Sequence, residues 1–149
     1  MGNWDVLDTE LQGKDLGRDA GEWAVTALAC VVFADGRTDE RELERAKEIV
    51  SKVAVIRDSL GPVLGEQLFL DTVVRLGRSP VEELAAVKEE LRALAGRVAS
   101  QEHRDHAFQT LISIATADHS IAASEHRLLT ELRQMIGSNV MVPLPHVSV

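Results

Sequence analysis

Helical periodicity is the feature of this sequence that most limits its fold. Apolar residues recur every three or four positions along most of the chain, and no segment alternates between apolar and polar residues as a half-buried β-strand does. The clearest register places Leu43, Ile49 and Val53 on one stripe, with charged residues on the opposite face. The sequence therefore predicts an all-α protein.

Glycine breaks and helix-start signals divide this pattern into one compact bundle of about six to seven helices, since 149 residues is the length of a single domain. We predict that the bundle occupies residues 22–137, after an N-terminal arm over 1–21 and before an unstructured C-terminal tail over 138–149. Helices are expected over about 22–34, 41–56, 63–76, 80–98, 102–117 and 123–136.

The strongest helix start is Ser79-Pro80-Val81-Glu82. Serine at the N-cap, proline at the first helical position and glutamate two positions later predict a capping box. Gly77 and Gly137 are the expected stops of the helices that precede them. The predicted buried stripe of the helix that starts here comprises Val81, Leu84, Leu91, Leu94 and Val98.

Composition excludes several classes of protein. A formal net charge of −8, from 24 acidic and 16 basic residues, argues against nucleic-acid binding and anionic-membrane binding and favours cations or basic partners. The lone cysteine, Cys30, excludes an internal disulfide and predicts a small core residue rather than a reactive thiol. The longest apolar run, residues 23–34, is too short to span a membrane, and residues 1–21 lack a signal peptide's apolar core. We therefore expect a cytoplasmic protein without direct membrane insertion.

Two parts of the chain resemble each other at an offset of 83 residues, which predicts two helix–loop–helix units related by approximate two-fold symmetry. In each unit an Asp ends an apolar helix and a Glu follows seven residues later, in the first turn of the next helix. The matched pairs include Leu28 with Leu111, Asp35 with Asp118, and Glu42 with Glu125.

These repeated carboxylates are the candidate functional residues. If the two units pack face to face, Asp35, Glu42, Asp118 and Glu125 converge, and uncompensated carboxylates at short range repel one another. A divalent cation relieves that repulsion. Because carboxylate oxygens are hard ligands, Ca²⁺ or Mg²⁺ is the expected class, with Ca²⁺ favoured if the loops leave the geometry loose.

A structural role explains the same acids equally well. Asp39 can act as an N-cap with Glu42 as its capping-box partner, and Asp35 simply favours a turn. The second unit fits this explanation less well because Ala122 replaces the capping Asp. Asp15 and Glu22 are also seven residues apart, so the spacing alone is weak evidence.

Other site chemistry has little support. His103 and His106 lie three residues apart, which is compatible with a transition metal but is more typical of a solvated first turn. The sequence has no nucleophile elbow, no glycine-rich phosphate loop and no His-Glu-x-x-His motif. We therefore predict that the protein is not an enzyme.

The two acidic units resemble the TerB family associated with bacterial tellurite resistance. The residues that carry the resemblance are 32–36 (Val-Phe-Ala-Asp-Gly) through Glu42 and Leu43, and 115–118 (Ala-Thr-Ala-Asp) through Glu125, ending in 132–137. The similarity covers about residues 22–137.

The resemblance implies a compact helical fold with an acidic site, between two hairpins, that binds a divalent cation commonly taken to be calcium. It also implies a role in tellurite and stress resistance, and a membrane-integral TerC-like protein as partner at the cytoplasmic face of the membrane. The second unit departs from the family pattern at His119, where glycine is usual, and at residues 122–123, where polar residues are common. This departure is compatible with a weak site, a different ion or an interaction scaffold.

Two functional hypotheses follow. The first is a TerB-like metal-binding or signalling domain that acts through protein partners. The second is a purely structural helical adaptor, whose acids serve only as caps and solvated faces.

Overall fold

A computed structural model gives the fold of the protein. It describes residues 17–33, 44, 47, 48, 50, 60, 61, 63–98, 100–116 and 123–142.

Five helices account for most of the described chain, and none of its residues forms a strand. The predicted all-α class is therefore confirmed, whereas the count of six to seven helices is not. The helices are α1 (Gly17–Val32), α2 (Leu64–Arg78), α3 (Pro80–Arg97), α4 (Gln101–Ala115) and α5 (Ala123–Ile136).

Only four residues of the helix predicted over 41–56 are described. Glu44, Lys47, Glu48 and Val50 all have helical backbone conformation. Val50 is buried whereas Glu44 and Glu48 are exposed, which agrees with the predicted register at these positions. Lys47 lies 3.7 Å from Glu66 of α2, and this ion pair connects the segment to the rest of the bundle.

Helix α1 is the centre of the molecule. It packs against α2, α3, α4 and α5, and Trp23 at its middle is fully buried. The sequence explains this position, because a helix that is apolar nearly all round has no face that favours water. Small residues such as Ala24 and Ala27 are also buried, so neighbouring helices can approach the α1 backbone closely.

The junction between α2 and α3 differs from the prediction. Gly77 does not stop α2, which continues to Arg78. Pro80 determines the boundary instead, because a proline disfavours helical backbone at the preceding residue, and Ser79 has φ −147° and ψ 79°. A single residue therefore separates two helices.

The capping box predicted at Ser79 is also wrong. Ser79 is the N-cap residue of α3, but its side chain makes no capping hydrogen bond. Both backbone polar groups of Ser79 form hydrogen bonds instead. Its N–H donates to the carbonyl of Arg75, and its carbonyl accepts from the N–H of Glu83. Helix α4 has the side-chain cap, in which Ser100 Oγ accepts from the backbone N–H of His103 at 3.4 Å.

The buried stripe of α3 begins later than predicted. Val81 is 84% exposed, because the first turn of α3 lies outside the packed interior. Leu84 is partly buried, and full burial begins at Val87, which the predicted stripe omitted. The remaining predicted residues of the stripe, Leu91, Leu94 and Val98, are buried.

The end of α5 is fixed rather than loose. Gly137 has φ +74° and ends the helix, as predicted. Of the predicted tail, residues 138–142 are described. Ser138 is buried and donates from Oγ to Asp105, and the Arg133 Nε donates to the carbonyl of Val140. Residues 143–149 lie outside the described part of the chain.

The predicted pseudo-two-fold repeat is not confirmed. The first helices of the two units, α1 and α4, pack against each other, and the matched residues Leu28 and Leu111 are both buried. The second helix of the first unit lies mostly outside the described residues, so the symmetry stays a prediction. Within the part of the chain that is described, no helix is long and apolar enough to cross a membrane.

Candidate functional site

The structure places one of the four predicted cation ligands. Asp35, Glu42 and Asp118 lie outside the described residues. Glu125 lies in the first turn of α5, where its side chain is partly buried and already has an interaction partner.

The position of Glu125 suits a carboxylate for two reasons. The first turn of a helix carries the positive end of the helix dipole, which stabilises a negative charge. A carboxylate oxygen is also the hard ligand that Ca²⁺ and Mg²⁺ prefer. Among the described residues no three His, Cys, Asp or Glu side chains are grouped so that they could hold a metal ion. The convergence of four carboxylates thus stays a prediction.

The two histidines of α4 occupy the start of that helix, and both are partly buried. The His103 backbone N–H belongs to the cap described above. The Nδ1 atom of His106 is buried and has no hydrogen-bond partner among the residues that the structure describes. Neither residue belongs to a metal-sized cluster within the described chain.

A cavity of about 270 Å³ lies between α1, α2, α3 and α5. We call it the Cys30 cavity. Its wall is apolar on the side of α1 and α2 and carries charged and polar groups on the side of α3 and α5. The lining residues are Cys30, Phe33, Leu76, Pro80, Leu84, Lys88, Ser124, Arg127, Leu128 and Glu131.

Three charged side chains of the described chain line the Cys30 cavity. Lys88 of α3 donates from Nζ to Glu131 of α5 at 3.1 Å, so these two charges compensate each other. Arg127, one helical turn before Glu131, takes part in no hydrogen bond or ion pair with any residue that the structure describes. Among the described residues of the lining, Arg127 is therefore the charged side chain that lacks an ion-pair partner.

Cys30 lines the cavity and is buried, with 1% of its surface exposed. Burial raises the pKa of its thiol to about 12, and the nearby Lys88 only partly offsets this effect. The thiol is therefore protonated at neutral pH and is a poor nucleophile. The prediction of a small core residue is confirmed.

The cavity was not predicted from the sequence, although the sequence contains one signal of it. Lys88 is four residues after Leu84 and three before Leu91, so a charged residue interrupts the apolar stripe of α3. Such an interruption on a buried face indicates a charge pair or a polar opening. The sequence contains no comparable signal that Arg127 lines the cavity, because Arg127 is a charged residue at an exposed position of α5.

Comparisons with known proteins identify the family. A family model described as tellurite resistance protein TerB matches residues 22–140. No curated protein and no solved structure matches the chain. The matched region contains α2 to α5 and most of α1, together with both acidic motifs that carried the resemblance. The chain belongs to the TerB family.

Proposed function

We propose that this chain is a non-catalytic cytoplasmic TerB domain of tellurite and stress resistance that binds a divalent cation and acts through protein partners. The observation that carries the proposal is the family match, which spans both acidic motifs. TerB domains are generally non-catalytic. A membrane-integral TerC-like protein is the proposed partner, at the inner face of the membrane.

The proposed cation ligands are Asp35, Glu42, Asp118 and Glu125. All four are carboxylates, which favours a hard cation, and Ca²⁺ is the first choice because it tolerates irregular ligand geometry. The net charge of −8 supports a cationic rather than an anionic ligand, because the field of the whole molecule attracts positive charge.

The alternative is a structural helical adaptor without a metal site. One observation favours it: the first turn of α5 stabilises Glu125 through the helix dipole, so no cation is needed to explain this residue. The two proposals differ in whether stability depends on Ca²⁺.

Thermal unfolding in EDTA and in Ca²⁺, Mg²⁺ and Zn²⁺ tests the cation site. A ligand at 100 times its dissociation constant stabilises the folded state by about 2.7 kcal/mol. For a domain of this size we expect Ca²⁺ to raise the melting temperature by roughly 5–10 °C relative to EDTA. The shift should disappear in the variant Asp35→Asn/Asp118→Asn.

A matched control removes two carboxylates elsewhere. Asp71 and Glu82 are exposed on α2 and α3, and the variant Asp71→Asn/Glu82→Gln loses the same charge as the site variant. This control should keep the full Ca²⁺ shift. A shift of equal size in both variants would mean that Ca²⁺ acts through net charge alone, and no shift with any cation would favour the structural adaptor.

A further inference from the structure

We infer that the Cys30 cavity is a binding site for a small amphipathic carboxylate, with the apolar part of the ligand against Phe33, Leu84 and Leu128 and its carboxylate at Arg127. The inference is argued from residues other than the proposed cation ligands, and Glu125, the one described candidate, is not among the residues that line the cavity.

The size of the cavity limits the ligand to a small molecule. Its volume of about 270 Å³ is just below the range of roughly 300–1,000 Å³ that is usual for ligand pockets. The space therefore suits a short aliphatic or phenyl-substituted acid rather than a nucleotide or a large cofactor. The walls come from four different helices, which fixes the shape of the cavity through the packing of the core.

The wall of the cavity has two chemically distinct parts. Side chains of Phe33, directly after α1, Leu76 of α2 and Leu84 of α3 form an apolar surface together with the buried Cys30. This surface favours a hydrocarbon group, because burying apolar area removes it from water. The protonated thiol adds no negative charge, since the pKa of Cys30 is about 12.

The charges indicate an anion rather than a cation. The Lys88–Glu131 ion pair is internally compensated at 3.1 Å, so a cationic ligand would have to compete with Lys88 for Glu131. Arg127 has no partner within the described chain, and its guanidinium presents paired N–H donors that match a carboxylate. Ser124, in the first turn of α5, adds a hydroxyl on the same side.

Hexanoate is a suitable probe, with hexan-1-ol and hexylamine as its neutral and cationic counterparts. We expect the full chain to bind hexanoate with a dissociation constant on the order of 1 mM, measured by thermal shift and by chemical-shift changes in methyl-labelled Leu84 and Leu128. Hexan-1-ol and hexylamine should bind about tenfold more weakly, because neither can pair with Arg127.

Two variants and one control separate binding from folding. Arg127→Gln changes an exposed residue and should weaken hexanoate binding about tenfold without lowering the melting temperature. Leu84→Trp should abolish binding by filling the cavity. The control, Arg97→Gln, removes the same charge at the far end of α3, beyond the lining residues, and should bind hexanoate like the unmodified chain.

Three results would overturn the inference: no hexanoate-induced shift at Leu84 or Leu128, equal affinity for hexylamine, or equal affinities of Arg127→Gln and Arg97→Gln. Because Arg127→Gln leaves the core intact, the test does not depend on whether Leu84→Trp folds. A failure here would leave the Ca²⁺ experiment unaffected, since that experiment varies different residues.

Discussion

At the scale of single residues, Asp105 connects the start of α4 to the chain after α5. Its Oδ1 atom accepts hydrogen bonds from the Gln101 side chain, the Ser138 hydroxyl and the Asn139 backbone N–H, at 3.1, 3.1 and 2.9 Å. Burial alone would raise the pKa of this carboxyl, but the hydrogen bonds outweigh burial, and the pKa is lowered. Gln101 also donates to the carbonyl of Gly137, which strengthens the same connection.

Replacing Asp105 with alanine should therefore destabilise the protein at neutral pH. We expect a loss of about 1–2 kcal/mol in the free energy of unfolding, because three donors lose their acceptor at a partly exposed site. Urea unfolding at pH 7 measures it. The exposed carboxylate Asp71 is the control, and Asp71→Ala should change stability by less than about 0.5 kcal/mol.

The effect of Asp105→Ala should also depend on pH. Because the pKa is lowered in the folded protein, the ionised carboxyl stabilises the fold fully above the ordinary Asp pKa of about 3.9, and this contribution is lost as the pH falls through the lower folded value. Urea unfolding at pH 7, 5 and 3 compares the unmodified protein with Asp105→Ala. The difference between their free energies of unfolding should narrow only below about pH 4. A difference that grows as the pH falls would contradict this assignment.

At the scale of elements, Arg75 joins α2 to α3. Its guanidinium contacts Glu83 at 2.9 Å and Glu90 at 2.7 Å. The two glutamates are seven residues apart on α3, so they lie on one face of that helix. This pairing helps to hold two helices that only Ser79 separates.

Removing this arginine should have a modest effect. The three side chains are 34–55% exposed, and ion pairs at such sites contribute about 0.5–1 kcal/mol after screening. We therefore expect Arg75→Gln to lower the free energy of unfolding by that amount in urea titrations at low salt, and by less in 1 M NaCl.

Arg78 provides the control on the same helix. It is exposed, and the described structure gives it no ion pair. Arg78→Gln should change stability by less than about 0.5 kcal/mol. Equal losses for both arginines would mean that the charge of α2, rather than the contacts of Arg75, sets the effect.

At the scale of the whole molecule, stability depends on how four helices surround α1. Ala27 lies on α1 with no exposed surface, and a dense interior has no room for additional methyl groups. Replacing alanine with leucine changes helix propensity little at a buried or an exposed position, because both residues are good helix formers. A difference in stability between the two positions would therefore reflect packing.

Ala27→Leu should therefore destabilise the protein by about 1–3 kcal/mol, because the larger side chain forces neighbouring helices apart. Ala93→Leu is the matched control at an exposed position of α3. Its free energy of unfolding should lie within about 0.5 kcal/mol of that of the unmodified protein. Urea unfolding followed by circular dichroism measures both. A neutral result for Ala27→Leu would show that the interior around α1 is loosely packed.

Individual helices show which structural features could be predicted from the sequence. The bounds of α5 and its stop at Gly137 were predicted correctly, because an amphipathic stripe and a left-handed glycine are both local signals. The junction at Ser79 was predicted incorrectly, because the geometry there depends on two helices at once. Of the four candidate cation ligands, only Glu125 lies among the described residues. It lies in the first turn of α5, as predicted.

The sequence by itself determined the helical class and the family, because periodicity and motifs are properties of neighbouring residues. Only the tertiary structure decided which helix faces meet. The Cys30 cavity combines residues from four helices, and Asp105 meets residues more than thirty positions away. A 3.6-residue period indicates which face of a helix is apolar, but the partner of that face depends on how all the helices pack together.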